Sequence, residues 1–144
     1  MSLDGTYDDG NIFAKILRGE APAVRVFEDD HVLAFLDVFP QARGHTLVVP
    51  KQSTARNLLE AAPEVLGPLM AGVQRVARGV RAALKPDGLM ISQFNGAVAG
   101  QTVFHLHVHI IPRWEGVSLG RHGGGMADVE ALRALAAQIA AELS

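Results

Sequence analysis

The chain contains no cysteine, which excludes disulfides and zinc sites built on thiolates. Basic and acidic residues nearly balance, 13 against 15, and no basic tract is present. This balance argues against a nucleic-acid partner held by many phosphate contacts, but it leaves a small phosphorylated ligand open. No run approaches the roughly 18 apolar residues of a membrane-spanning helix, so we expect no membrane partner.

The N-terminus also lacks the basic and apolar regions of a signal peptide, and it carries Asp4, Asp8 and Asp9 instead. We therefore expect a cytoplasmic protein. The 144 residues, 49% hydrophobic and 19% charged, fit one globular domain with a sizeable core. The expected organisation is a flexible leader over residues 1–10 and a single domain over residues 11–144.

Three segments have the apolar periodicity of helices. Residues 11–19 form a short amphipathic segment, and Pro63–Leu84 is the longest, with Pro63 suited to a first turn and Pro86 preventing continuation. Asp128 is placed to open a final helix. The glycine-rich stretch 120–125 before it is expected to be a flexible connection.

Alternating and β-branched residues predict five strands, over residues 24–28, 32–36, 45–50, 88–94 and 103–111. Strands and helices in this order indicate an α+β domain on a largely antiparallel sheet.

The last predicted strand carries His105, His107 and His109, separated by Leu106 and Val108. Side chains alternate faces along a strand, so the three imidazoles would share one face, about 6.6 Å apart. The opposite apolar face can be buried, which would fix the register of the strand.

Three uses of such a row compete. A catalytic zinc needs about three protein ligands, but the outer two histidines would lie about 13 Å apart, so a metal would need a ligand from elsewhere. The row could also be purely structural, although its regular alternation beside a glycine-rich turn argues against chance. The third use is nucleophilic attack on phosphorus, which we favour. A neutral imidazole is a good nucleophile, glycine-loop N–H groups can approach a phosphate, and Gln101 and Thr102 add donors.

Asp37 ends the second predicted strand. A carboxylate at this position is either a turn former or an acceptor for ligand hydroxyls, and the residues alone leave both readings open.

The motif His105-Leu106-His107-Val108-His109-Ile110-Ile111 resembles the signature of the histidine triad (HIT) superfamily of nucleotide hydrolases and transferases. Further segments resemble family segments in the family's order: residues 12–16, 28–30, 34–37, 40–42, 44–51 and 100–103. The resemblance implies a HIT-like α+β fold. Each protomer would have an antiparallel five-stranded sheet, one long central helix and a C-terminal helix, and two protomers would form a homodimer.

The resemblance also implies roles for the histidines. His107 matches the nucleophile that forms a covalent nucleotidyl-histidine, His109 matches the histidine that contacts the phosphate, and His105 matches the one that buttresses the site. His45 matches a fourth histidine, which orients the nucleophile.

The remaining implied roles concern the nucleotide. Asp37 matches the ribose-binding carboxylate. The residues expected near the phosphate and the leaving group are Gln101, Thr102, Asn95 and Gly100. The residues expected to form an apolar pocket for the base are Ile12, Phe13, Ile16, Phe35 and Val38.

Two departures from the family pattern stand out. Many bacterial relatives carry a zinc site with Cys-x-x-Cys at the positions of Asn11 and Ala14 and a histidine at that of Ser53; none of these is present, so we expect no metal and no cofactor. Phe94 stands where Asn or Gln is common, and Asn95 is the candidate to replace it. The eukaryotic-type C-terminal extension is not recognisable in residues 116–144.

The resemblance therefore implies a hydrolase that cleaves a nucleoside monophosphate, with a purine base, from a leaving group across a phosphoramidate or phosphoanhydride bond. The alternative is a nucleotide-binding sensor or adaptor with negligible catalysis.

Overall fold

The fold is α+β, with a five-stranded antiparallel sheet and three α-helices, as predicted. The computed structural model describes residues 2–120 and 125–143. The helices are α1 (Ile12–Leu17), α2 (Pro63–Leu84) and α3 (Val129–Ala140). The strands are β1 (Arg25–Glu28), β2 (Val32–Leu36), β3 (Thr46–Pro50), β4 (Gly88–Ser92) and β5 (Val108–Arg113). Short 3-10 turns lie at Leu58–Glu60 and Ala97–Ala99.

The sheet has the order β1-β2-β3-β5-β4, and every neighbouring pair is antiparallel. Its central strands are buried because helices cover both faces. One face packs on α2 and α3, with Val48 and Ile110 in the same cluster as Val76 and Ile139. On the other face, Phe13 and Ile16 of α1 pack against sheet residues in a smaller apolar cluster. The site described below lies on the α1 face.

Helix ends follow the capping residues that the sequence supplies. The Asn11 side chain accepts a hydrogen bond from the Ala14 N–H and opens α1, and Asp128 does the same for α3. Pro63 occupies the first turn of α2, where a missing N–H costs nothing. The predicted span of α2 is confirmed.

The predicted histidine strand is wrong at its N-terminal end. The structure begins β5 at Val108, so His105 and His107 precede the strand and only His109 lies on it. The reason is in β3, which pairs Val48 with Val108 and ends at Pro50. Proline has no N–H to extend a ladder, and the Leu106 N–H donates to the Ala55 carbonyl instead. The three histidines therefore do not form a row on one strand, because His105 and His107 lie outside the ladder.

Three other predicted strands are shorter than expected, since β1, β3 and β4 cover Arg25–Glu28, Thr46–Pro50 and Gly88–Ser92. The flexible connection predicted at 120–125 falls mostly outside the described residues, because 121–124 are not described. Within residues 2–120 and 125–143, no helix is long and apolar enough to cross a bilayer.

Residues 2–7, here called the N-terminal strap, lie against the domain. The Ser2 hydroxyl accepts from the Ala97 N–H, the Leu3 carbonyl accepts from Asn57, and the Tyr7 hydroxyl contacts His105. Flexibility of the leader stays a prediction, and these contacts favour a tethered segment.

Candidate active site

His107 is held by its own neighbouring backbone. Its Nδ1 lies 2.7 Å from the His105 carbonyl oxygen. A carbonyl oxygen only accepts, so Nδ1 carries the proton and the neutral ring has its lone pair on Nε2. The ring is 7% exposed and meets the Phe13 ring edge-on, with the centroids 4.8 Å apart. His107 is therefore a buried imidazole with a prepared nucleophilic nitrogen.

His45 and His109 form a hydrogen-bonded pair, here called the relay, in which both tautomers are opposite to that of His107. The Gln41 backbone N–H donates to His45 Nδ1 at 3.0 Å, so the neutral ring carries its proton on Nε2. This Nε2 lies 2.9 Å from His109 Nδ1 and donates to it. His109 then carries its own proton on Nε2, where it serves as a hydrogen-bond donor. The hydrogen bond described for the His45 Nε2 is therefore made to His109, the histidine expected to contact the phosphate.

His105 is buried, with 1% exposure. Its Nε2 donates to the Pro50 carbonyl at 3.3 Å, and its Nδ1 accepts from the Tyr7 hydroxyl at 2.7 Å. Burial lowers the pKa of His105 to about 4; the hydrogen bond to Pro50 opposes this shift, and the charge of His107 adds to it. His105 is therefore neutral near neutral pH, which suits the buttressing role implied for it.

The structure brings all four predicted histidines together. The His107 and His109 ring centroids are 5.0 Å apart, and those of His45 and His109 are 5.2 Å apart. His105 is linked to His107 through its carbonyl. The Phe94 ring lies 5.2 Å from the His109 ring, so this departure from the family pattern packs directly on the site.

The glycine loop before the histidines is tied internally. Gly96 and Gly100 have φ of 94° and 110°, a region that disfavours side chains. The loop's backbone N–H groups that donate within the protein belong to Gly96, Ala97, Ala99, Gly100 and Gln101. In this conformation the loop is a rigid support, and these N–H groups would reach a phosphate only by exchanging partners.

The two predicted amides also hold the loop. The Gln101 amide nitrogen donates to the Arg56 and Val103 carbonyls, and its oxygen accepts from the Gly96 N–H. Asn95 bonds with the Gln93 amide and accepts from the Leu58 N–H. Phosphate binding by either side chain stays a prediction and requires these bonds to be exchanged. Thr102, in contrast, is exposed at the exit of the loop.

The predicted base pocket is brought together in part. Phe13, Ile16 and Phe35 share one cluster on the α1 face, and the rings of Phe13 and Phe35 meet at 5.4 Å. Ile12 is 47% exposed, so it offers apolar surface to a ligand. Val38 packs instead against the cluster on the opposite face of the sheet.

Asp37 lies next to the relay. One carboxylate oxygen accepts from the Phe39 N–H at 2.8 Å, and the other lies 3.6 Å from His45 Nε2. The side chain is 13% exposed. The carboxylate therefore acts as a turn former, and its use as an acceptor for ligand hydroxyls stays a prediction.

Asp37, His45 and His109 place one possible metal-ligand atom each within 4.8 Å of one another. The hydrogen bonds do not suit a metal. The Gln41 N–H occupies His45 Nδ1 and keeps the proton on Nε2, the atom that would have to bind the ion. We regard this cluster as a hydrogen-bonded histidine pair with a neighbouring carboxylate, and the absence of a metal remains our expectation.

Sequence reasoning missed several partners of the histidines. Gln41 and Pro50 act through backbone atoms, and Tyr7 comes from the segment expected to be a leader. Ser92 pairs with His109 across the sheet, and its buried hydroxyl has no hydrogen-bond partner among the described residues. Partners that act through backbone atoms leave no pattern in the sequence. Tyr7 is the only tyrosine in the chain, and this was the one signal in the sequence that could have marked it as a candidate.

A buried histidine whose tautomer places the lone pair on Nε2, beside a second histidine protonated on Nε2, is chemically suited to nucleophilic transfer at phosphorus. A sequence model of the HIT domain matches residues 18–116. The chain belongs to the HIT family, a superfamily of nucleotide-binding proteins and hydrolases.

Individual relatives agree with this membership. The chain is 46% identical over 103 residues to Protein hit of Bacillus subtilis, covering 72% of this chain and 70% of that protein. It is 37% identical over 123 residues to the adenylylsulfatase HINT3 of Arabidopsis thaliana, covering 81% and 62%. A crystal structure of a Hit-like protein from Bartonella henselae aligns with a TM-score of 0.89 at 50% identity, covering 96% of this chain and all of that one.

Proposed function

We propose that this protein cleaves a nucleoside monophosphate from a leaving group by double displacement at the α-phosphorus, with His107 as the nucleophile. The supporting observation is the difference between the four histidines. His45, His105 and His109 use Nδ1 as an acceptor, whereas His107 uses Nδ1 as a donor. Only His107 among the four therefore has its lone pair on Nε2.

In the first step, the Nε2–phosphorus bond forms and the bond from phosphorus to the leaving group breaks. The ring then carries both the phosphorus on Nε2 and the proton on Nδ1, so it is positively charged. The His105 carbonyl, 2.7 Å from Nδ1, stabilises this charge. In the second step, water attacks phosphorus, the Nε2–phosphorus bond breaks, and the mononucleotide leaves.

His109 supplies the charge stabilisation that phosphoryl transfer needs. Its protonated Nε2 is of the right chemistry to donate to a phosphate oxygen, while His45 donates to Nδ1 on the other side of the ring. Thr102, exposed beside the loop, is the second donor in our proposal. Gln101, Asn95 and Gly100 would then shape the loop and contact phosphate only after rearrangement.

The nucleoside would lie on the α1 face. The apolar cluster with Phe13 and Phe35, together with the exposed Ile12, offers a surface on which a purine can stack. Asp37 would accept hydrogen bonds from the ribose hydroxyls, because it is partly exposed beside His45.

The decisive experiment is a substrate panel with a matched pair of variants. The purified protein is incubated with an adenosine phosphoramidate, a dinucleoside polyphosphate, a nucleotide-sugar and adenylyl sulfate, and released mononucleotide is measured. We include adenylyl sulfate because the Arabidopsis relative is named an adenylylsulfatase. We expect release from at least one substrate. Binding without release from any of them would favour the sensor alternative.

In the same assay, His107→Ala should abolish turnover while nucleotide binding is retained. The control is His31→Ala, which removes an exposed histidine from the turn between β1 and β2 and should leave activity unchanged. A His107→Ala protein with wild-type turnover would contradict the mechanism. Mass spectrometry at alkaline pH, where phosphohistidine survives, should show the nucleotidyl adduct in wild type only.

We also propose that two copies form a homodimer. HIT proteins are often dimers, and β4 lies at the edge of the sheet with Ile91 42% exposed. An edge strand with exposed apolar surface can pair with a second copy. Sedimentation velocity would show a protomer of 15.3 kDa if this assignment is wrong.

A cytoplasmic location and the absence of a nucleic-acid partner are further parts of the proposal. The second rests on the balance of 13 basic and 15 acidic residues without a basic tract, and the first on the lack of cysteine, which gives no support to a disulfide-built secreted fold. Fractionation of the source cells would test the first, and a binding assay with duplex and single-stranded nucleic acid at low salt would test the second.

A further inference from the structure

The N-terminal strap ends at the site rather than in solvent. The Tyr7 hydroxyl lies 2.7 Å from His105 Nδ1, and the two rings are 5.8 Å apart. The two residues are 98 positions apart in the chain. Tyr7 also lies outside residues 18–116, the part of the chain matched by the HIT domain.

The direction of this hydrogen bond follows from the other side of the ring. His105 Nε2 faces the Pro50 carbonyl and must donate to it, so Nδ1 is an acceptor in the neutral ring. Tyr7 therefore donates. Both nitrogens of a buried ring are then satisfied, which fixes its tautomer and its orientation.

The position of the His105 ring matters because its backbone holds the nucleophile. The His105 carbonyl accepts from His107 Nδ1 at 2.7 Å, and this bond puts the lone pair on His107 Nε2. A shift of residue 105 would lengthen or bend the bond. Small misplacements of a reacting group can reduce a rate considerably.

The strap has a second attachment, at the glycine loop. The Ser2 hydroxyl accepts from the Ala97 N–H at 2.7 Å, and Arg56 donates to the Ser2 carbonyl at 3.2 Å. The Arg56 carbonyl accepts from the Gln101 amide, which also ties the loop. The strap thus joins the loop at one end to His105 at the other.

We propose that Tyr7 is a positioning residue: its hydroxyl orients His105, which in turn holds His107 in the tautomer required for attack. The strap is then a structural part of the site, contributed by sequence outside the matched domain. The kinetic part of this inference rests on the function proposed above, whereas the part concerning His105 does not.

The test is Tyr7→Phe, which removes the hydroxyl and keeps the ring. The control is Asp4→Asn, an exposed change in the same strap. Long-range proton–nitrogen NMR spectra of protein labelled with 15N-histidine report the state of each ring nitrogen. In Tyr7→Phe, the His105 Nδ1 signal should move toward that of an unbonded imine nitrogen, and in Asp4→Asn it should not move.

The kinetic readout uses whichever substrate of the panel is cleaved. We expect kcat of Tyr7→Phe to fall about 3- to 10-fold, the effect of one neutral hydrogen bond, with KM unchanged because Tyr7 does not touch the nucleotide in our proposal. A general loss of structure would instead alter KM and the control variant as well.

The outcomes separate the two proposals. An unchanged His105 Nδ1 signal overturns the contact, and a shifted signal with unchanged kcat overturns the positioning role. If the wild type cleaves no nucleotide, the proposed function fails, yet a shifted Nδ1 signal still supports the assignment of Tyr7 to His105.

Discussion

The tautomer of each of the four imidazoles in the site is set by the partner of its Nδ1 atom. The Nδ1 atom of His45 accepts from a backbone N–H, and the Nδ1 atom of His105 accepts from the phenol of Tyr7. The Nδ1 atom of His109 accepts from the imidazole of His45, whereas the Nδ1 atom of His107 donates to a backbone carbonyl. The residue type is the same in all four cases. The partner decides which nitrogen carries the proton, and therefore which ring can attack and which can donate.

His105 should make the stability of the protein depend on pH. Its pKa is lowered from 6.5 to about 4 in the folded state, so the unfolded chain binds more protons between these values. The contribution is fully present above about pH 6.5 and is lost as the pH falls toward 4. It amounts to about 3 kcal/mol at most.

Urea unfolding between pH 4.5 and 7.5 would check this in wild type and His105→Gln. The variant cannot titrate at this position, so its free energy of unfolding should fall less steeply below pH 6.5. Parallel curves for the two proteins would show that burial of His105 does not perturb its titration.

At the scale of elements, the site depends on how closely α2 packs on the sheet. Gly72 of α2 faces Val32 of β2, and a Cβ built on Gly72 would lie 2.7 Å from a Val32 methyl. Val32 is fully buried and stiff at χ1, so it cannot move aside cheaply. The small residue therefore permits the close approach of the helix to β2, the strand that ends just before Asp37.

Two alanine substitutions in α2 separate helix propensity from packing. Gly67→Ala meets no neighbour outside its own helix, but it precedes Pro68, whose ring opposes a Cβ there and offsets the propensity gain, so the free energy of unfolding should change by less than about 1 kcal/mol. Gly72→Ala has the same propensity gain but should lower it by about 1–3 kcal/mol through overpacking. Chemical denaturation of both variants would measure the difference, and equal effects would contradict the packing argument.

At the scale of the whole molecule, the site is assembled from segments distant in sequence. The relay joins His45 before β3 to His109 on β5, 64 residues apart, and Tyr7 reaches His105 across 98 residues. A ligand that contacts α1, the relay and the loop together should bind the folded chain and not the unfolded one.

Purine mononucleotide should therefore raise the thermal midpoint. At 100 times its dissociation constant, a ligand that binds only the folded state adds about 2.7 kcal/mol. For a chain of this size, the midpoint would rise by roughly 5–10 °C. Differential scanning fluorimetry with AMP measures it. The rise in midpoint caused by AMP should be retained in His107→Ala, because His107 is proposed to act in turnover and not in binding. It should be smaller in Asp37→Asn, because the Asp37 carboxylate is proposed to bind the ribose.

Much of this architecture was predictable because it depends on local patterns. Apolar periodicity with Pro63 at the start predicted the span of α2, and Asp128 predicted where α3 begins. The β2 strand was also predicted correctly, since its apolar run is bounded by turn residues. The motif then pointed to three histidines and the family resemblance to a fourth, His45, and the structure brings all four together.

The sequence alone thus determined the element types and that three histidines alternate with apolar residues, since both depend on neighbours along the chain. Only the tertiary structure decided where β5 begins, because the limit comes from Pro50 on another strand. It likewise decided which nitrogen of each histidine is protonated. Those protons are placed by a Gln41 backbone amide, by two backbone carbonyls and by Tyr7, and such partners meet the histidines only after the chain has folded.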